Sequence, residues 1–228
     1  MLTATLMARK DRRQCIRCGE CCLRSGPSLQ LRDIPLVMEG PIAPAHLYAL
    51  RVGELVWDNV HQQWQKTGTE IIKVKEQKGT RACLFYDAAK KACTIYEHRP
   101  VQCVAMKCWD PSEFMRVYQE PKASRKDIIF DPNLLRLMAV HEAQCGYDRL
   151  EHFVKAIENT GEEAVKEVLG ILKWDHDLRR MAPENLGLPH DALDLVFGRP
   201  LTHTISMFGL KAVRKPDGSY LLTTLSSP

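Results

Sequence analysis

The pattern of apolar and polar positions changes character near residue 122. Before that point apolar residues come in short runs broken by turn formers such as Gly26-Pro27, Gly40-Pro41 and Asp110-Pro111. Leu29 to Glu39 and Pro44 to Val52 read as short helical or mixed pieces. Glu70-Ile-Ile-Lys-Val-Lys75 alternates, which predicts a strand, and the alternation continues weakly into Cys83-Leu-Phe-Tyr86. Asp87 to Cys93 then reads as a hairpin-like connection into Thr94-Ile-Tyr96.

Beyond residue 122 the period becomes helical. Asp131-Pro132 predicts a helix start, with Leu134, Leu135, Leu137, Met138 and His141 on its apolar side. A second helix is expected from about Tyr147 to Glu158, burying Leu150, Phe153, Val154 and Ile157, and Gly161 breaks it. A third begins at Glu162, buries Val165, Val168, Leu169 and Leu172, and is expected to end near Trp174. In the tail, Lys215-Pro-Asp-Gly218 separates two strand-like runs. Proline fixes one dihedral and glycine admits a positive one, so a terminal hairpin is expected. The expected fold is α+β: a small irregular cysteine-organised domain over 1–120, then a helical extension over 121–228 that ends in a hairpin.

Composition narrows the class. The 228 residues suffice for a core without covalent staples, and 45% hydrophobic with 26% charged residues is ordinary for a globular chain. A formal net charge of +4 implies no polyanion partner. Basic residues gather at Arg9, Lys10, Arg12, Arg13 and Arg17, but Asp11 and Glu20 interrupt them and no aromatic residues interleave; a solvated arm is expected rather than a nucleic-acid site. The opening stretch Met1 to Ala8 is too short for a signal-peptide core, and no apolar run is long enough to cross a bilayer. A soluble, cytoplasmic protein is expected, whose partner is a protein or redox partner and not a membrane.

The candidate chemistry lies in the cysteines. Residues 15–22 read Cys-Ile-Arg-Cys-Gly-Glu-Cys-Cys, which puts thiols at Cys15, Cys18, Cys21 and Cys22; Cys83, Cys93, Cys103 and Cys108 follow. Reduced thiols in such groups are metal ligands more readily than disulfides, and the odd total of nine with no secretion signal points the same way. Gly19 permits the tight backbone that the loop needs. The step Cys-x-x-Cys-x-x-Cys favours an iron–sulfur cluster, of the 4Fe-4S kind, over zinc, which more often takes separated pairs. Eight thiols can fill one centre or two, and Cys22, adjacent to Cys21, can belong to either. Cys145 reads as a core residue. His98 is expected to have a surface or hydrogen-bonding role, and His141, His152 and His176 to be ordinary. Asp175-His176-Asp177 is expected at the surface, and Glu162-Glu163 to be solvated or to face a helix dipole.

The segments Cys15 to Cys22, Cys83-Leu-Phe-Tyr and Cys93-Thr-Ile-Tyr-Glu-His-Arg-Pro-Val-Gln-Cys103 resemble the YkgJ-type CxxCxxCC cysteine-cluster family, over about residues 12–112, with Asp33-Ile34 also fitting. The resemblance implies a zinc- or iron-chelating domain with the eight cysteines as ligands, and places Tyr96, Arg99 and Pro100 in the same motif. Arg99 is a candidate hydrogen-bond donor to cluster sulfurs or to Glu97. Flagellin lysine methylases are similar in this cysteine domain. Three functions follow as expectations: an iron–sulfur protein with a redox or structural role, a zinc module for protein interaction, and a methyltransferase with an accessory cluster. The last lacks a glycine-rich nucleotide loop.

Overall fold

A computed structural model describes residues 13–225. The opening apolar stretch, and the basic arm apart from Arg13 and Arg17, lie outside the described residues. The first half is built of small antiparallel strand pairs and short helices. After helix α1 (Ile34–Met38), strand β1 (Leu47–Leu50) pairs with β4 (Ile71–Val74), Leu47 opposite Val74 and Leu50 opposite Ile71. Between them β2 (Leu55–Asp58) and β3 (Gln63–Lys66) form a hairpin, and β5 (Tyr86–Asp87) pairs with β6 (Ala92–Cys93). Helices α2 (Val101–Ala105) and α3 (Ser112–Tyr118) close this half.

The helical half holds α4 (Pro132–Cys145), α5 (Tyr147–Thr160), α6 (Glu162–Leu186), α7 (Leu193–Phe197) and α8 (Leu201–Thr204), then the hairpin β7 (Leu210–Arg214) and β8 (Tyr220–Thr224). Local chemistry sets their ends. The Asp131 carboxylate accepts the backbone N–H groups of Asn133 and Leu134, both at 2.9 Å, and Pro132 costs nothing at a position whose N–H has no helical partner. Gly187, left-handed at φ 62°, ends α6. The α+β class with a terminal hairpin is as expected.

Two expectations change. Helix α6 runs past Trp174 to Leu186, carrying Pro183 in its last turn. The cause is a continuous inner face, Val168, Ile171, Leu172, Asp175, Arg179 and Ala182, at the helical period. Asp175, expected at the surface, is therefore buried, only 1% exposed, and so is His141 on α4. The hairpin β2–β3 is an addition to the expected elements: its apolar residues, Leu55, Val56, Trp57 and Trp64, do not alternate, and β3 is exposed throughout.

Two apolar cores hold the molecule. One combines Leu29, Leu47, Ala49, Ile72, Val74 and Phe85 from the cysteine-rich half with Met138, Leu195, Val196 and Phe197 from the helical half. The other lies within the helical half, around Leu150, Val168, Leu172, Leu201 and Ile205. No helix among the described residues is long and apolar enough to cross a membrane.

Candidate metal centre

The first cysteine run lies on an open loop. Arg17 and Gly19 take positive φ, 55° and 76°. At Gly19 this turn is also a close approach, since a β-carbon there would run into the Tyr86 ring. The Arg17 N–H points at Cys15 Sγ, 3.4 Å away. The inner end is fastened: Leu23 N–H donates to the Gly19 carbonyl at 3.1 Å and Cys83 N–H to the Cys22 carbonyl at 2.7 Å. Cys21 and Cys22 sulfurs are 4.0 Å apart.

The second segment is brought to the loop by buried polar ties. Cys93 sits opposite Tyr86 in β5–β6. Helix α2 carries Cys103, and its position is set by Asp33, whose Oδ1 accepts the Val101 N–H at 2.8 Å while Oδ2 accepts Gln30 N–H at 2.8 Å. Burial pushes the Asp33 carboxyl up from the usual carboxylate value, and these two bonds oppose it. The Gln102 side chain adds a tie, its Oε1 accepting Ser28 N–H at 2.9 Å.

Five sulfurs share one electrostatic field. The Cys22 thiol is pushed up by its hydrogen bond with Cys21, by burial, and by the negative charge that Cys21, Cys103 and Cys93 would carry. The same hydrogen bond, with help from the Arg99 charge, holds Cys21 down to about 6 against its burial. Burial raises Cys83 to about 11 and raises Cys93 and Cys103, with Cys21 opposing ionisation of each. Thiols that repel one another as thiolates are the donor set that a soft cation stabilises, and metal binding drives off their protons. The residues therefore fit a thiolate-bound metal. Cys15 and Cys18 lie on the outer part of the loop, the first exposed and the second half-buried, and half-buried Cys108 follows α2.

Arg99, a candidate donor to cluster sulfurs or to Glu97, is held against Tyr96. Its Nε–H donates to the Tyr96 carbonyl at 2.6 Å and its guanidinium lies over the Tyr96 ring, 3.6 Å from the centroid. Glu97 pairs with Arg17 instead, at 3.8 Å.

A second cluster lies far along the chain. His141 and Cys145, one turn apart on α4, and Asp175 each offer a ligand atom within 4.8 Å of the others. Asp175, however, is already bonded through both oxygens: Oδ1 accepts from His141 Nε2 at 2.8 Å and Arg179 Nε at 3.0 Å, and Oδ2 from Leu201 N at 3.0 Å. Burial pushes the Cys145 thiol up to about 12, and its Sγ points at the Ile171 carbonyl. With the Arg51 and Arg179 charges beside it, this is a structural network. The signal that reveals it in sequence is Asp175 and Arg179 standing four apart on the face that carries Val168 and Leu172.

The comparisons with known proteins agree with the cysteine arrangement. A family model, CxxCxxCC, matches residues 14–122 and carries the description "Putative zinc- or iron-chelating domain". No curated protein and no solved structure was found to match the chain. The match spans every cysteine of the two groups, from Cys15 to Cys108, so residues 14–122 of this chain are similar to the CxxCxxCC domain.

Proposed function

We propose that the eight cysteines hold an iron–sulfur centre whose role is redox or structural. The observation that carries this reading is the number and spacing of the thiols. Five share one field, whereas a single zinc ion takes four.

When bound, such a cluster supplies one-electron chemistry or a covalent fastening of the fold. The chain does the rest. Asp33 and Gln102 position α2 and Cys103, and Gly19 lets the loop close over Tyr86. Arg99 offsets the negative charge that gathers at Cys21, Cys93 and Cys103.

The test is purification without oxygen, with iron, zinc and acid-labile sulfide measured together and a visible spectrum recorded before and after reduction. A coloured protein that bleaches on reduction, with iron and sulfide in equal amounts, is expected. A colourless protein with stoichiometric zinc and no sulfide would make the domain a structural zinc module.

A further inference from the structure

We propose that Arg17, Tyr96 and Arg99 form a latch that holds the outer cysteines of the loop, Cys15 and Cys18, against the centre, and that its opening admits and releases metal. The latch presupposes that the cysteines bind metal, as proposed, and holds for either metal.

The geometry is a sandwich. Arg17 Cζ lies 3.9 Å from the Tyr96 ring centroid and Arg99 Cζ lies 3.6 Å from the same point. Two guanidinium groups cannot both sit that close on one face without overlapping, so they occupy opposite faces. Arg17 stands between Cys15 and Cys18, and Tyr96 stands on the turn between Cys93 and Cys103, so the stack joins the two cysteine segments. Arg99 fixes the ring from behind through its bond to the Tyr96 carbonyl.

The loop is divided by how its parts are held. Its inner end is anchored by Cys83 N–H on the Cys22 carbonyl and by Gly19 against Tyr86. Its outer residues, Arg13 to Arg17, are exposed, and Arg17 holds a positive φ that a β-carbon disfavours. The Arg17–Glu97 ion pair, with side chains 59% and 78% exposed, adds little. The stack of Arg17 on Tyr96 joins the outer loop to the second cysteine segment, and it parts when the outer loop lifts. An exposed stack of this kind is weak enough to break spontaneously, while the inner thiols keep their place.

The experiment uses the full-length protein with the metal it carries at purification. Release of that metal to a colorimetric chelator is followed in time, and iodoacetamide labelling is mapped by mass spectrometry. In Arg17→Ala and Tyr96→Leu, release is expected to quicken about two- to fivefold, with Cys15 and Cys18 labelled before Cys83, Cys93 and Cys103. Tyr96→Phe keeps the ring and is expected to release at the parent rate, and Arg17→Lys, which keeps the charge but not the plane, falls between. Thermal midpoints measured alongside are expected to stay at the parent value for Arg17→Ala. Parent release rates and labelling order in both Arg17→Ala and Tyr96→Leu would overturn the latch, as would Tyr96→Phe releasing as fast as Tyr96→Leu. Finding zinc in the parent protein ends the iron–sulfur reading and leaves this test intact; finding no metal overturns both.

Discussion

His141 Nε2–H donates to Asp175 Oδ1 at 2.8 Å, in the interior of the helical half, where neither side chain meets solvent. The pair joins α4 to α6, and through Asp175 Oδ2 and the Leu201 N–H it reaches the start of α8. Burial alone would push the Asp175 carboxyl up, yet the bond from His141 and the charge of Arg179 outweigh it and hold the group at about 2. His141 moves down, by burial first and then by the Arg51 and Arg179 charges, with Asp175 only partly opposing.

Both shifts weaken the fold in acid. A histidine held below its unfolded value of about 6.5 contributes its full stability above that pH and loses it below, because the unfolded chain takes up the proton first. Asp175, depressed to about 2, contributes fully above about pH 4 and loses this as pH falls towards 2. Urea unfolding between pH 5 and 7.5 is expected to show stability that is flat above pH 7 and falls below 6.5. In His141→Gln, whose amide N–H replaces the ring N–H but does not titrate, the slope is expected to be shallower. Equal slopes in the two proteins would remove His141 from this role.

Gly198 and Gly170 make opposite predictions for the same change to alanine. Gly198 has φ 75° and ψ −168°, a region essentially reserved for glycine, and a β-carbon there would lie 2.9 Å from Cγ, Cδ and Nε of the fully buried Arg51. Arg51 cannot yield, since its Nη1 donates to the Cys145 carbonyl at 3.1 Å and pairs with Glu142 at 3.4 Å. Gly198→Ala is expected to cost about 2–3 kcal/mol. Gly170 lies inside α6 with nothing within 4 Å of an added β-carbon, so Gly170→Ala is expected to stabilise by about 0.5–1 kcal/mol. Denaturant midpoints at equal m-value decide both.

Much of this fold could be read where one face is apolar. β4 follows the alternation of residues 70–75, the starts of α4 and α6 follow Asp131-Pro132 and Glu162, and the β7–β8 turn follows Pro216-Asp217-Gly218. Legibility failed where polar residues do structural work. Asp175 looked like a surface residue because His176 and Asp177 flank it, although its register with Ile171 and Arg179 puts it on the inner face of α6. The hairpin β2–β3 was hidden for the same reason: its Asp58 carboxylate gathers His61 Nδ1 at 2.6 Å, Gln65 Nε2 at 2.9 Å and the Tyr118 hydroxyl at 2.9 Å, contacts with no hydrophobic period. At the metal centre the thiols announced themselves by spacing. The role of Asp33 did not, because its target, Val101 N–H, is 68 residues away.

That distant tie makes Asp33 a positioning residue for Cys103. In Asp33→Ala, the Val101 N–H at the start of α2 loses its acceptor, and loss of a capping carboxylate costs about 1–2 kcal/mol. The expected outcome is lower metal content together with lower stability. Cys145→Ser serves as the contrast: Cys145 is fully buried in the second core, so the change is expected to lower stability and leave metal content at the parent value. Metal analysis beside thermal unfolding separates the two patterns.

The shared core sets where the chain can be cut. A fragment ending at Pro121 retains all eight cysteines of the two groups but loses Leu195, Val196 and Phe197, which pack with Leu47, Ala49 and Ile72. Each such side chain contributes about 1.5–3 kcal/mol when fully buried, and the fragment also loses Arg125, whose Nε–H donates to Glu70 at 2.7 Å beside β4. Together these losses are comparable with the net stability of about 5–15 kcal/mol typical of a whole domain. The fragment is expected to lack fixed near-ultraviolet dichroism and to retain little metal. A chain ending at Gly209 removes β7 and β8, whose Leu210, Ala212 and Leu222 pack only partly buried against the second core. It is expected to keep the first core, and with it the parent metal content. Full metal retention in the shorter fragment would show that the cysteine-rich half folds without α7.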